Sequence, residues 1–202
     1  MRKHTKYRID YQRASVANEA ARIIQEEGLN DFRGAKKKAV ERLGLRAAGP
    51  LPSNDEIEQA LAERNRIFRG NHHLLHLRNL RQAAMKMMRA LAAYHPRLVG
   101  PVLSGNTTEY SSIDLHLFDD SAETVTITLD VLDINHRPTQ ICHQFRRGTI
   151  ERFPGFRFDN EEHEFAVTVF PELRRRNAPL SPVDGRPMPR ADLRELDRIL
   201  GA

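Results

Sequence analysis

The chain changes period at His95-Pro96-Arg97, and that change bounds its fold more tightly than any other feature. Before it, apolar residues recur every three or four positions. After it, β-branched and aromatic residues alternate with polar ones. A helical stretch followed by a strand-rich one predicts an α+β protein. The expected organisation is an N-terminal helical region over 1–70, an α/β portion with its leading helix over 71–173, and an irregular proline-rich segment with a closing helix over 174–202.

The helical half divides at its breakers. Ala14, Ala17, Ala20, Ala21 and Ile24 mark one face of a helix starting at residue 12, which Gly28 stops. A basic segment from Asp31 to Leu43 holds Lys36, Lys37 and Lys38 and ends at Gly44. Gly49-Pro50-Leu51-Pro52 interrupts the chain, because proline lacks a donor and restricts the residue before it. Ser53 and Glu56 have capping-box spacing and open a helix over 54–68. A fourth helix follows Gly70-Asn71 and runs to Tyr94, with Leu75, Leu80, Ala83, Met87 and Leu91 as its expected buried stripe. His72 and His76 stand one turn apart beside His73, as two metal ligands would, but no glutamate follows in the HExxH manner and no third ligand is identifiable. Arg66 and His72 resemble in spacing the arginine–histidine motif of small all-helical ribonucleases, a permissive pattern.

Charge points to partners. Lysine and arginine exceed aspartate and glutamate by 32 to 27, and the basic residues cluster at Arg2/Lys3, Lys36 to Lys38, Arg146/Arg147 and Arg174 to Arg176. Such clusters attract polyanions by counterion release, which makes RNA or a nucleoside triphosphate a candidate partner; on composition alone, solvated faces of helices and turns are the first reading. The chain has no tryptophan, and its Phe and Tyr residues are not grouped as a stacking platform for single strands requires. No apolar run approaches the roughly 20 residues that span a bilayer. The N-terminus is charged where a secretory signal is greasy, so a cytoplasmic, non-membrane protein is expected. The single cysteine, Cys142, excludes an internal disulfide and reads as a core residue.

The chemistry lies in the second half. Leu98 to Leu103 is an expected strand, Ser104-Gly105-Asn106 a turn, and Ser111 to Phe118 a second strand. In that strand Ile113, Leu115 and Leu117 face one way, Ser112, Asp114 and His116 the other. A glycine turn, a short loop and the strand Ser111-Ser112-Ile113-Asp114-Leu115 resemble the signature of the polymerase-β-like nucleotidyltransferases, in which a glycine followed by glycine or serine precedes Ser-Asp-Ile-Asp-Leu. The resemblance covers residues 77 to 173. It implies a mixed β-sheet with flanking helices, and nucleotidyl transfer through two Mg²⁺ ions, one on the attacking oxygen and one on the triphosphate.

The departures from that signature bear on catalysis. Paired magnesium ions require two carboxylates two residues apart and a third from a neighbouring strand. Ser112 occupies the first position, so Asp114 stands alone beside His116, a ligand better suited to zinc or manganese. Asn106 replaces the expected glycine or serine. Strands over Gly155 to Asp159 and His163 to Phe170 flank the turn Asn160-Glu161-Glu162, and by resemblance Ala166 takes the third acid's place, with Glu164 two residues away on the same face.

Between them, Ser121 to Asn135 alternates like a strand over Thr124 to Val131. The capping-box spacing of Asp120 and Glu123 and the family's order favour a helix; a strand would bring Asp130 to the polar face. Thr139 to Arg146 reads as a strand, and Ala191 to Leu200 as the closing helix with Leu193, Leu196 and Leu200 on one side. The resulting expectation is a catalytically impaired nucleotidyltransferase-like protein that binds RNA through Lys36, Lys37 and Lys38, or nucleotide around Gly105, Asn106, Ser112, Arg146 and Arg174. The alternatives are an active enzyme, with Asp114 and Glu164 or His116 holding Mg²⁺ or Mn²⁺ and acting on RNA, protein or a small-molecule hydroxyl, and a non-enzymatic scaffold.

Overall fold

The computed structural model describes residues 2–29, 31–45, 50–68, 70–146 and 148–201. Gly49 and Arg147, and the side chains of Arg2 and Lys3, lie outside that description. The chain forms two compact units. The first comprises Met1–His73, Asn106–Ser111 and Pro182–Asp184, and the second Leu74–Gly105, Ser112–Ser181 and Gly185–Ala202. The fold is α+β, and the C-terminal segment belongs largely with the sheet rather than standing apart.

In the first unit, α1 (Arg2–Glu27), α2 (Phe32–Arg42) and α3 (Asn54–Phe68) enclose a core of small side chains. α1 begins ten residues before the expected start at residue 12. Ala17, Ala20, Ala21, Ala35 and Ala39 are buried together with Ile23, Ile57 and Leu61, and alanines let helix backbones approach closely. Ala14 is exposed. Asp31 caps α2 through the amides of Arg33 and Gly34, and Ser53 and Glu56 form the reciprocal box that opens α3. A buried amide chain completes the unit: Gln25 donates to Asn65, which donates to the Thr107 carbonyl.

The second unit is a five-stranded mixed sheet with helices on one face. α4 (Gly70–Ala90) leads into β1 (Arg97–Val99), α5 (Gly100–Ser104), β2 (Ile113–Phe118), α6 (Ala122–Val131), β3 (His136–Arg146), β4 (Thr149–Asn160), β5 (His163–Phe170) and α7 (Leu193–Gly201). The strand order is β1-β2-β5-β4-β3, with only β2 and β5 parallel. The expected strand over Leu98 to Leu103 therefore lasts three residues. Gly100-Pro101 turns the chain into α5, since Gly100 takes a left-handed conformation that ends the strand and proline suits a first helical turn. β4 starts six residues earlier than Gly155.

The core face of the sheet is the expected one. Ile113, Leu115 and Leu117 are fully buried against Met88, Leu91, Val125, Leu129 and Leu196. Each large apolar side chain so buried stabilises the fold by about 1.5–3 kcal/mol, and a one-residue slip of β2 would exchange all three for Asp114 and His116. Register is fixed by that difference. On α4 the buried residues are Leu77, Leu80, Ala84, Met85, Met87 and Met88; Leu75 is 63% exposed and Ala83 only partly buried.

α6 is a helix despite its alternating sequence. Ser121, rather than Asp120, caps it by accepting from the Glu123 amide. Val125 and Leu129, four apart, reach the core, and the hydroxyls of Thr126 and Thr128 donate back to the Ala122 and Thr124 carbonyls. Asp130 is exposed and never joins the polar face of the sheet. Cys142 on β3 is likewise exposed, not part of the core.

The two rims of the sheet are finished differently. β1 is closed by Ala191, which exchanges both backbone hydrogen bonds with Leu98 at 2.8 and 2.9 Å. β3 carries Arg137 and Pro138, residues that discourage pairing with another strand.

Candidate functional site

The site grows from the end of β1. The backbone after Val99 turns through Gly100 at φ +67°, and a Cβ there would stand 2.6 Å from Oδ2 of Asp114. Glycine is therefore required twice over, by its left-handed conformation and by the carboxylate against it. Asp114 lies between Val99 on β1 and Ala166 on β5. The Ser112 hydroxyl donates to Asp114 Oδ1 at 2.8 Å.

Beyond Ala166 the same cross-strand row continues with Arg157 on β4 and Arg137 on β3. Arg157 is bonded to Glu164 at 2.7 Å. Arg137, Thr139, Arg157, Asp159 and Glu164 line a groove of ≈ 440 Å³. Desolvation pushes the Asp114 carboxyl up to about 6; the Ser112 hydrogen bond and the positive charge of Arg157 pull it down, and Glu164 adds a smaller upward push.

No family model, curated protein or solved structure matches the chain.

Two residues further along β2 the same face closes. His116 is 2% exposed, with Phe170 edge-on at 4.8 Å and His143 at 5.2 Å between ring centroids. Phe118, Phe153 and Phe170 are buried together, with Phe145 packed on them. The phenylalanines that look scattered in the sequence are thus gathered by the strands, but into a sealed cluster rather than a stacking surface. Burial holds His116 well below the usual histidine range, and brings His143 down to about 4. His116 Nδ1 and one Arg190 nitrogen are buried without a hydrogen-bond partner. His143 Nε2 meets the Thr168 hydroxyl at 3.2 Å.

The structure gathers some of the expected site residues and separates others. Ser112, Asp114, His116, Ala166 and Glu164 share one face of the sheet. Gly105 does not face the carboxylate; it ends α5 at φ +93°, and its nearest neighbours are Leu77 and Arg81. Asn106 belongs to the first unit, where its amide donates to Glu58 at 2.9 Å. Arg174 donates to Glu151 at 2.6 Å and lies over the Phe145 ring. Glu151 precedes Arg157 by six residues on β4, so Arg174 works about 20 Å along the strand from the Asp114 row. Arg146 is exposed at that same far end, paired in register with Thr149. On α2, Lys38 pairs with Glu27, Lys36 is partly desolvated, and only Lys37 projects freely.

Three residues of the site escaped the sequence reading. Gly100 was hidden inside a presumed strand, although a glycine directly before proline is a turn signal. Arg137 and Arg157 come together only through β3–β4 pairing.

The donor set does not fit a pair of magnesium ions. Magnesium demands near-octahedral hard oxygen ligands. Here the Ser112 hydroxyl is committed to Asp114, Ala166 offers no oxygen, and Glu164 is engaged by Arg157. Among the described residues no group of three or more His, Cys, Asp or Glu is placed to hold a metal.

Proposed function

We propose that this chain is a nucleotidyltransferase-like protein that binds a nucleotide without catalysing efficient transfer. The single observation that carries this reading is the Asp114 carboxylate, kept desolvated against Gly100 in the same cross-strand row as Arg157, which lines a groove with Arg137. A buried acid with a raised pKa opposes folding at neutral pH, and such groups cluster at functional sites. The run of β1, Gly100, α5 and β2 supports the resemblance to the polymerase-β-like enzymes, with Gly100 in the role first given to Gly105 and Pro101 where those enzymes have glycine or serine. Nucleotide is favoured over RNA because Lys36 is drawn partly into the protein, which breaks the run of three lysines as a surface for a polyanion.

Equilibrium dialysis of the full chain with labelled ATP, GTP, CTP and UTP tests the reading. Saturable binding of at least one of them, altered in Asp114→Asn, is the expected result. Incubation with the same nucleotides, Mg²⁺ or Mn²⁺ and total RNA or protein is expected to leave the acceptors unlabelled. Labelling abolished by Asp114→Ala would instead make the protein an active transferase, and absence of any nucleotide binding would reject the reading.

A further inference from the structure

We infer that the groove lined by Arg157 and Arg137 takes the phosphate groups of a nucleotide directly on their guanidinium groups, with no divalent cation between protein and ligand. This rests on the nucleotide-binding reading and specifies how the ligand is held.

The argument starts from one row of the sheet. Asp114, Ala166, Arg157 and Arg137 are consecutive partners across four strands. With neighbouring strands about 4.8 Å apart, the Arg157 backbone stands about 10 Å from that of Asp114, within reach of a long side chain. At the position where a metal site would place its acid from the next strand there is a methyl group, and beyond it a fixed positive charge. That charge already acts on the Asp114 carboxylate in the direction a metal would, drawing its pKa down against desolvation. A dication brought between them would be repelled by Arg157, and the carboxylate nearest that arginine, Glu164, is already bonded to it.

Guanidinium groups supply what phosphate needs. Their planar forks match two phosphate oxygens at once and stay charged at any working pH. Arg137 and Arg157 face each other across β3–β4, both exposed on the groove. Arg137 has no ion-pair partner among the described residues. Arg157 is held by Glu164, but solvent-exposed pairs of this kind are weak and exchange readily. Asp159 and Glu164 line the same groove, so an incoming anion must displace Glu164 from Arg157 before it can use both forks. Glu164 therefore acts as a competitor for the ligand's place. In a metal-bridged site the same residue would be a ligand and would help.

That opposition of sign makes the test decisive. Isothermal titration of the full chain with ATP, in EDTA and again in excess Mg²⁺, should give binding in EDTA at least as tight as in Mg²⁺, because the metal competes with the guanidinium groups for the same phosphate oxygens. In EDTA, Arg157→Ala and Arg137→Ala should each weaken binding by about tenfold, and Glu164→Gln should tighten it by about two- to fivefold. Both arginines are exposed, and circular dichroism of each variant verifies that the fold is intact. Binding that requires Mg²⁺ and is weakened by Glu164→Gln would overturn the inference while leaving nucleotide binding in place. ATP affinity in EDTA unchanged by both arginine variants would also overturn it. No ATP binding in either buffer would remove the inference together with the reading beneath it.

Discussion

Asp114 and His116 sit two residues apart on one face of β2, and their surroundings diverge completely. Asp114 keeps a hydroxyl donor in Ser112, a cation two strands away in Arg157 and a groove beyond. His116 is walled in by Phe170 and His143, with one ring nitrogen unpartnered. Desolvation acts on both, and in both it favours the neutral form: the acid's pKa rises and the base's falls. Only at Asp114 do neighbours work against that trend. A strand face hidden from water can thus either preserve a charge, with help, or suppress it, and ligand chemistry belongs to the first kind.

The contrast can be broken at the sealed end. Phe170 touches the rings of His116, His143, Phe118 and Phe153 at centroid distances of 4.6 to 6.0 Å. Phe170→Ala should cost about 3–5 kcal/mol in urea unfolding and open the cluster to solvent.

At the open end the largest effect is expected at Gly100. An added methyl would meet Asp114 Oδ2 in a backbone conformation that L-residues avoid, so Gly100→Ala should destabilise by about 2–3 kcal/mol. Combining it with Asp114→Ala should recover part of that loss, the part due to collision rather than to backbone strain.

Asp114→Asn should stabilise the protein, and the pH dependence fixes the sign. The acid's pKa is near 3.8 unfolded and about 6 folded. Its contribution is therefore most favourable below 3.8 and is lost as pH rises through 6. The variant should be more stable by about 1–3 kcal/mol at pH 8 and indistinguishable below pH 4 in thermal melts.

His143 moves the opposite way. Its pKa falls from 6.5 to about 4 on folding, so the unfolded chain binds the proton first, and stability is lost as pH drops from 6.5 toward 4. His143→Gln should flatten that limb by about 1–2 kcal/mol, which would sharpen the division between the two ends.

Much of this architecture could be read from the chain because its signals are local. The Ser53–Glu56 box, the alternation of Ile113, Leu115 and Leu117 and the strand His163–Phe170 all stand in the structure as the sequence predicts. Thr124 to Val131 alternates like a strand but is the expected helix, with Val125 and Leu129 in the core and Tyr94 bonded to the Thr124 carbonyl. Errors arose where a distant contact decides. Gly105 and Gly100 are equivalent by local grammar, and only the return of β2 alongside β1 decides which one meets the carboxylate. Asp114 itself was legible, since a lone acid on a polar strand face is visible in sequence. Arg137 and Arg157, 20 residues apart along the chain, were not.

The paired hydrogen bonds between Leu98 and Ala191 also determine how the molecule would fail. A chain clipped upstream of Ala191 would lose that clasp together with Leu196, which is fully buried in the main core. The bared margin of β1 would then seek another strand, most readily from a neighbouring molecule, so proteolysis from that end would yield aggregate instead of a smaller soluble fragment.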